Sequence, residues 1–406
     1  MNIYKLNYRR ILAFTGLFSL LLIYIFFWVI MIRDPQSRSG SDFSGFYTYG
    51  RIYQTKGIAY IHDVEEQKKI QGEIVGYEVV PIIYTHVPLT ALLSAVLVDE
   101  DYVDSFKRWA VVLLLVNTIN VYLLVKLLEI NRFTTENFVI LSMGTFLFFP
   151  TFSGFINGRE DVIMLLGVII WISGLFSKKY FLAGLGLSLL TIRPQIALVL
   201  ALPFFFRHRN VFWGFTLGGL IHAGITLALV KVDGILKFVE SIRYIESTTW
   251  FEPHSFDMPT LSGIIRRNFG IIHPELAKEI VWLCYALGIV GFCIVWYQSQ
   301  EIREKQIGLI SIAAIFLQPY SHYHDLILLL IPIFCLIRIL EKNNVVDQYY
   351  LAVGPLAVSL FACLGFVGSG IMKFPIIYII MLILVYLFIA FDKLFMNVSP
   401  VHPSRH

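Results

Sequence analysis

Four short polar stretches interrupt an otherwise apolar chain, and each carries side chains able to do chemistry. Asp42 heads DFSGFYTYGR, Arg159, Glu160 and Asp161 close NGRED, Arg193 precedes Pro194 in IRPQ, and His322, His324 and Asp325 fall in SHYHD. Carboxylates take or give protons, guanidinium groups grip anions, and imidazoles can do either. Ionisable groups set among apolar helices are costly and usually mark function. Each stretch also has a plain alternative. Asp42 would make a good helix N-cap, and Arg159 beside two acids could be a local ion cluster that merely ends a span. Arg193 could reach out to lipid headgroups. His322 and His324 could be wet turn residues, and their i, i+2 spacing is poor for joint metal ligation on a helix, so no metal is expected. Taken one at a time the plain readings win; gathered at one place they lose ground.

Whether they gather depends on the elements that carry them. Of 406 residues, 57% are hydrophobic and 15% charged, where a soluble protein has about 25% charged. With a mean hydropathy of +0.72, this is the composition of an all-α polytopic membrane protein. The net charge of +4 is dispersed, which excludes the basic tract expected of a nucleic-acid binder. Cys284, Cys293, Cys335 and Cys363 lie in apolar runs without metal-site spacing and read as packing residues. The first apolar run, 11–32, is too long for a signal-peptide core and no small-residue cleavage site follows it, so it is expected to stay as a span. The apolar runs predict twelve spans: 11–32, 107–129, 138–156, 161–177, 180–193, 194–206, 211–230, 277–298, 307–319, 325–340, 348–369 and 374–393. They form a single integral domain, 1–406, and the 180–206 pair breaks at Pro194.

Lys5, Arg9, Arg10, Arg132, Lys178, Lys179, Arg207, Arg209, Arg303, Lys305 and Lys342 then flank spans on one side, against Arg159, Arg193 and Lys373 on the other. Positive-inside reasoning puts the richer side in the cytoplasm. Two long segments, 33–106 and 231–276, and all four polar stretches fall at the opposite, outer face. Trp28 and Trp109 near outer ends, and Trp213 and Trp296 near inner ends, fit interfacial belts. Phe43, Phe46, Tyr47 and Tyr53 recur at helical spacing, as on a helix lying in the membrane interface. The apolar stretch 86–98 is too short to cross and reads as interfacial or re-entrant.

With these residues placed, the chain resembles the GT-C membrane glycosyltransferases, and most of all glycosyltransferase family 87, which contains polyprenol-phosphate-mannose-dependent mannosyltransferases. The resemblance rests on Asp42, Phe43, Phe46, Tyr47, Gly50 and Arg51 in the first outer segment, and on His86, Val87, Pro88 and Leu89 as a partial match to Tyr-Pro-Pro-Leu. It continues through Gly158 to Asp161 in place of Gly-Gln-x-Asn, Arg193–Pro194 closing a small-residue span, and His322, His324 and Asp325 before a Leu-rich span. Arg159 and Asp161 depart from the family pattern. WFEPH, 250–254, lies in a long outer segment like the one that covers the family's reaction cleft.

The resemblance implies a GT-C-type bundle of about twelve helices and transfer of a hexose, mannose being the family's best-known case. The donor would be a polyprenyl-phosphate sugar and the acceptor a hydroxyl of a glycolipid or glycan, at the non-cytoplasmic face of a bacterial plasma membrane. It implies Asp42 as general base, a role worth about 10²–10⁴-fold in rate, and inversion at the anomeric carbon. Arg193, with Arg159 and His324, would stabilise the charge growing on the lipid phosphate. His322, Tyr47, Glu160 and Asp161 would position substrate. No cofactor is implied, and the absence of a Gly-rich phosphate loop agrees with a lipid-linked donor. Partners are the donor, the acceptor and membrane lipids. Two other classes compete. A twelve-span carrier or flippase would place its polar groups near the midplane on repeated halves, whereas here they gather at one face. A polysaccharide ligase or polymerase would use a diphosphate-linked donor.

Overall fold

In the computed structural model the described residues are 3–33, 41–77, 81–83, 86, 88–127, 142–247, 258–298, 302–342, 379, 381–387 and 389, and no strand occurs among them. The chain is an all-α membrane protein. A long apolar helix, α1 (Ile3–Arg33), leads to α2 (Asp42–Lys56), α3 (Val64–Val75), α4 (Leu89–Leu97) and α5 (Tyr102–Leu127). Then come α6 (Phe149–Asn157), α7 (Asp161–Phe176), α8 (Tyr180–Ser188), α9 (Pro194–Ala201) and α10 (Arg209–Ser247). A short α11 (Leu261–Ile265), α12 (Pro274–Gln298), α13 (Glu304–Leu317) and α14 (Leu330–Lys342) complete the described core. Tyr102–Leu127, Arg209–Ile245 and Pro274–Gln298 are long and apolar enough to cross a bilayer. The predicted span 348–369, most of 374–393 and the WFEPH stretch lie outside the described residues.

The region 180–205 is a helical hairpin. Its first leg runs antiparallel to α7, with Ala183 against Gly174 and Leu190 against Gly167, and parallel to α10, with Ser188 against Gly218 and Thr191 Oγ1 2.7 Å from His222 Nδ1. Its second leg runs back: the Tyr285 hydroxyl donates to the Gln195 carbonyl at 2.6 Å, and Phe204 meets Trp296 at 5.0 Å. Pro194 at N1 of α9 keeps Arg193 out of helical conformation (φ −126°, ψ 75°), so Arg193 is the apex. At ~1.5 Å per residue, each leg reaches only about 20 Å. Small residues allow the close packing: a Cβ on Gly184 would lie 2.0 Å from the Val211 carbonyl oxygen.

At the opposite end of the bundle, Arg338 on α14 clasps three elements. It meets Glu304 at 3.0 Å, donates to the last carbonyl of α5, Leu127, at 3.0 Å, and lies 4.4 Å over the Phe176 ring.

Two expectations change. The α2 helix is buried in protein, with Phe43, Phe46, Tyr49 and Ile52 inside, instead of lying on lipid. Its aromatic spacing is matched by α4 and α5, which give those rings a protein partner. Trp109 is likewise a core residue, stacked on Phe46 at 4.2 Å, and Trp296 is buried against Phe204, whereas Trp213 is exposed and Trp28 half-buried. The 86–98 stretch supplies the short α4, packed against α2 and too short to cross. Beyond a kink at Lys231 (φ 57°), α10 continues onto the segment before α3, where Lys237 pairs with Asp63 at 2.6 Å.

Candidate active site

The site begins where α2 meets the turn after α6. Ser41, and not Asp42, is the N-cap: its Oγ accepts from the Phe43 N–H at 3.2 Å and donates to the Asn157 carbonyl at 3.1 Å. Asp42 is therefore free of capping and occupies the first helical position. Opposite it, α6 ends at Gly158, in left-handed conformation (φ 69°), with the Arg159 N–H returning to the Gly154 carbonyl at 2.8 Å. The Trp109 indole donates to the Gly158 carbonyl at 2.6 Å. These bonds present Arg159 to Asp42, Nη1 to Oδ1, at 2.7 Å.

Arg159 is the hub. Besides Asp42, its charge interacts with Asp161, Asp325 and Glu160. Burial disfavours its charged form, yet this ring of carboxylates raises its pKa above the ordinary value, so it is always a cation. Glu160 pairs with His86. Burial would raise the Glu160 pKa, but His86 and Arg159 hold it down to about 2. Arg193 at the hairpin apex approaches Asp325, Nε to Oδ1, at 3.7 Å, and keeps its buried Nη2 without a hydrogen-bond partner among the described residues. Asp325 Oδ2 accepts the His322 N–H at 3.0 Å. His324 Nε2 lies 3.8 Å from Asp325 Oδ2. Burial, and after it the Arg159, His322 and His86 charges, push its pKa well below the usual imidazole value, so its ring is neutral near pH 7.

The structure thus brings Asp42, Arg159, Glu160, Asp161, Arg193, His322 and His324 to one end of the bundle. It does not bring Tyr47. On α2 that ring turns away from Asp42; its hydroxyl donates to the Glu100 carbonyl at 3.0 Å, and it lines a separate cavity of about 580 Å³ with Arg51, Lys56, Lys69 and Tyr102. Arg193 does not reach out to headgroups; its side chain is 18% exposed and faces Asp325. Two members were assigned no role from the sequence. His86 had only a partial motif match as a signal. Asp325 stood in the SHYHD turn, but nothing in the spacing linked it to Arg193 and Asp161. Among the described residues, Asp161, His324 and Asp325 each offer one ligand atom within 4.8 Å of the others, and the His322 and His324 rings lie 5.5 Å apart.

An all-α membrane bundle with acids, guanidinium groups and imidazoles assembled at one end is the build of a membrane-embedded transferase. Residues 84–318, more than half the chain, match glycosyltransferase family 87. The chain belongs to that family and is a glycosyltransferase. The match includes His86, Arg159, Glu160, Asp161 and Arg193; Asp42 precedes it, and His322, His324 and Asp325 follow it. No curated protein and no solved structure matches the chain.

Proposed function

We propose that this glycosyltransferase moves a hexose, with mannose the first candidate, from a polyprenyl-phosphate donor to a hydroxyl of a glycolipid or glycan. In this reading the bundle has twelve spans, the segments 33–106 and 231–276 lie outside, and the reaction runs at the non-cytoplasmic face of a bacterial plasma membrane. The observation that carries it is the meeting of Asp42 with Arg159, Asp325 and Arg193 in one cluster of a family 87 chain.

Asp42 is the base. With a side chain 27% exposed it is the most accessible carboxylate of the cluster's ion pairs, so an acceptor hydroxyl can approach it while Arg159 fixes its position. The deprotonated oxygen attacks the anomeric carbon as the bond to the lipid phosphate breaks, which inverts the configuration. Arg193 meets the phosphate, since its unpaired Nη2 has donor capacity to spare and Arg159 is surrounded by carboxylates. His322 and His324 act nearby, the neutral His324 as a hydrogen-bonding group. Glu160 and Asp161 position substrate by holding Arg159. Tyr47, remote from Asp42, contributes only through an acceptor long enough to reach its cavity.

The test uses purified full-length protein with polyprenyl-phosphate and polyprenyl-diphosphate sugars side by side. Transfer from the monophosphate with an inverted product supports the reading. Transfer from the diphosphate alone points to a ligase or polymerase, and passage of unaltered lipid-linked saccharide across a vesicle membrane would contradict it.

A further inference from the structure

Four carboxylates crowd the Arg159 guanidinium at the buried end of the site. Asp42, Glu160, Asp161 and Asp325 all act on Arg159, and the other cations in direct contact are Arg193 on Asp325 and His86 on Glu160.

Within the cluster, one atom each of Asp161, His324 and Asp325 lie within 4.8 Å of one another. Asp161 is 2%, His324 5% and Asp325 1% exposed. Asp161 Oδ2, His324 Nε2 and Asp325 Oδ1 are buried without a hydrogen-bond partner among the described residues, the condition that buried polar atoms ordinarily avoid. Space is kept for the first of them: a Cβ at Gly154 would stand 3.2 Å from Asp161 Oδ2. The three side chains come from two separate elements, the start of α7 and the turn before α14, so no spacing rule within one helix could announce them.

We propose that Asp161, His324 and Asp325 bind a divalent cation of the Mn²⁺ type. Two carboxylate oxygens and one imidazole nitrogen suit a cation of intermediate hardness, which would draw the three atoms inward to bond lengths of roughly 2.0–2.2 Å. Three protein ligands leave further coordination positions open. The bound ion adds positive charge beside Arg193 and, resting on the transfer reaction proposed above, helps it hold the donor phosphate.

The experiment titrates Mn²⁺ into chelator-treated full-length protein in detergent, with no donor or acceptor present, and follows free Mn²⁺ by electron paramagnetic resonance. One saturable ion per chain is expected, with ligand-nitrogen coupling in the pulsed spectrum. Asp161→Asn and Asp325→Asn should weaken binding roughly tenfold or more, and His324→Ala should also remove the nitrogen coupling. Asp104→Asn, an exposed acid paired to Lys107, should change nothing. Folded wild-type protein without saturable binding, or without nitrogen coupling, overturns the inference, and these two measurements decide it even if a ligand variant fails to fold. Sugar transfer without metal binding would sink the inference alone; metal binding without sugar transfer would sink only the transfer reading.

Discussion

The Arg159 guanidinium lies 2.7 Å from the Asp42 carboxylate, and this pair is the centre of a three-rung contact between two distant parts of the chain. Ser41 bonds to Asn157, Asp42 to Arg159, and Phe43 packs under Gly158. The first polar stretch is thereby locked to the turn that opens α7. Removing one partner of a buried ion pair costs about 3–5 kcal/mol, and the partial exposure of Asp42 reduces this. Arg159→Gln should destabilise the protein by about 2–4 kcal/mol, read as a lower thermal midpoint in detergent. Arg159→Lys should recover part of that loss but not the directional grip of the guanidinium.

Gly158 tests the same junction from the backbone. Its positive φ disfavours any side chain, and a Cβ there would stand 2.6 Å from the Phe43 Cβ. Gly158→Ala should cost at least about 1 kcal/mol from conformation, with more from the collision. It should also lower turnover, since the displaced Phe43 adjoins Asp42. A thermal midpoint and a turnover number equal to those of the wild type would contradict the tight junction.

His62 gives a pH signature outside the site. It is buried, faces the Tyr49 hydroxyl at 2.6 Å and the Phe238 ring, and burial lowers its pKa to about 4. The unfolded chain takes up this proton near pH 6.5, whereas the folded chain resists it until pH 4. The contribution is therefore fully present above pH 6.5 and is lost as pH falls toward 4, up to about 3 kcal/mol in all. Thermal midpoints across that window should fall with acid, and His62→Asn should flatten the slope. An unchanged slope in the variant would contradict the assignment.

Much of this was legible in the sequence. Hydropathy marked the helices because lipid-facing and core-facing surfaces alike are apolar, and Pro194 marked the hairpin apex because proline excludes its predecessor from the helix. The gathering of Asp42, Arg159, Arg193 and His324 followed from alternating directions of travel. What stayed hidden depends on packing partners. Periodicity could not tell that α2 is enclosed by protein, and the family resemblance that put Tyr47 with the substrate did not record that its hydroxyl turns to the Glu100 carbonyl. Trp109 lies near a helix end like a belt residue, yet α2 covers it. His86 joins Glu160, and Asp325 joins Arg193, across separations that no local pattern records.

Arg193 separates phosphate recognition from structure. Arg193→Ala should lower kcat/KM for the lipid-phosphate donor by about 10²–10³-fold, the scale for loss of a donor that stabilises developing charge. Arg193→Lys should restore part of it, because an ammonium keeps the charge but loses the paired geometry. A wild-type kcat/KM in the alanine variant would remove Arg193 from the donor site.

The most direct measurement is single-turnover sugar transfer by Asp42→Asn from a polyprenyl-phosphate donor, with the thermal midpoint confirming a folded chain. A rate about 10²–10⁴-fold below wild type is expected with donor binding retained, since the amide keeps a contact to Arg159 and loses only proton acceptance. A folded Asp42→Asn protein that transfers sugar at close to the wild-type rate would contradict it.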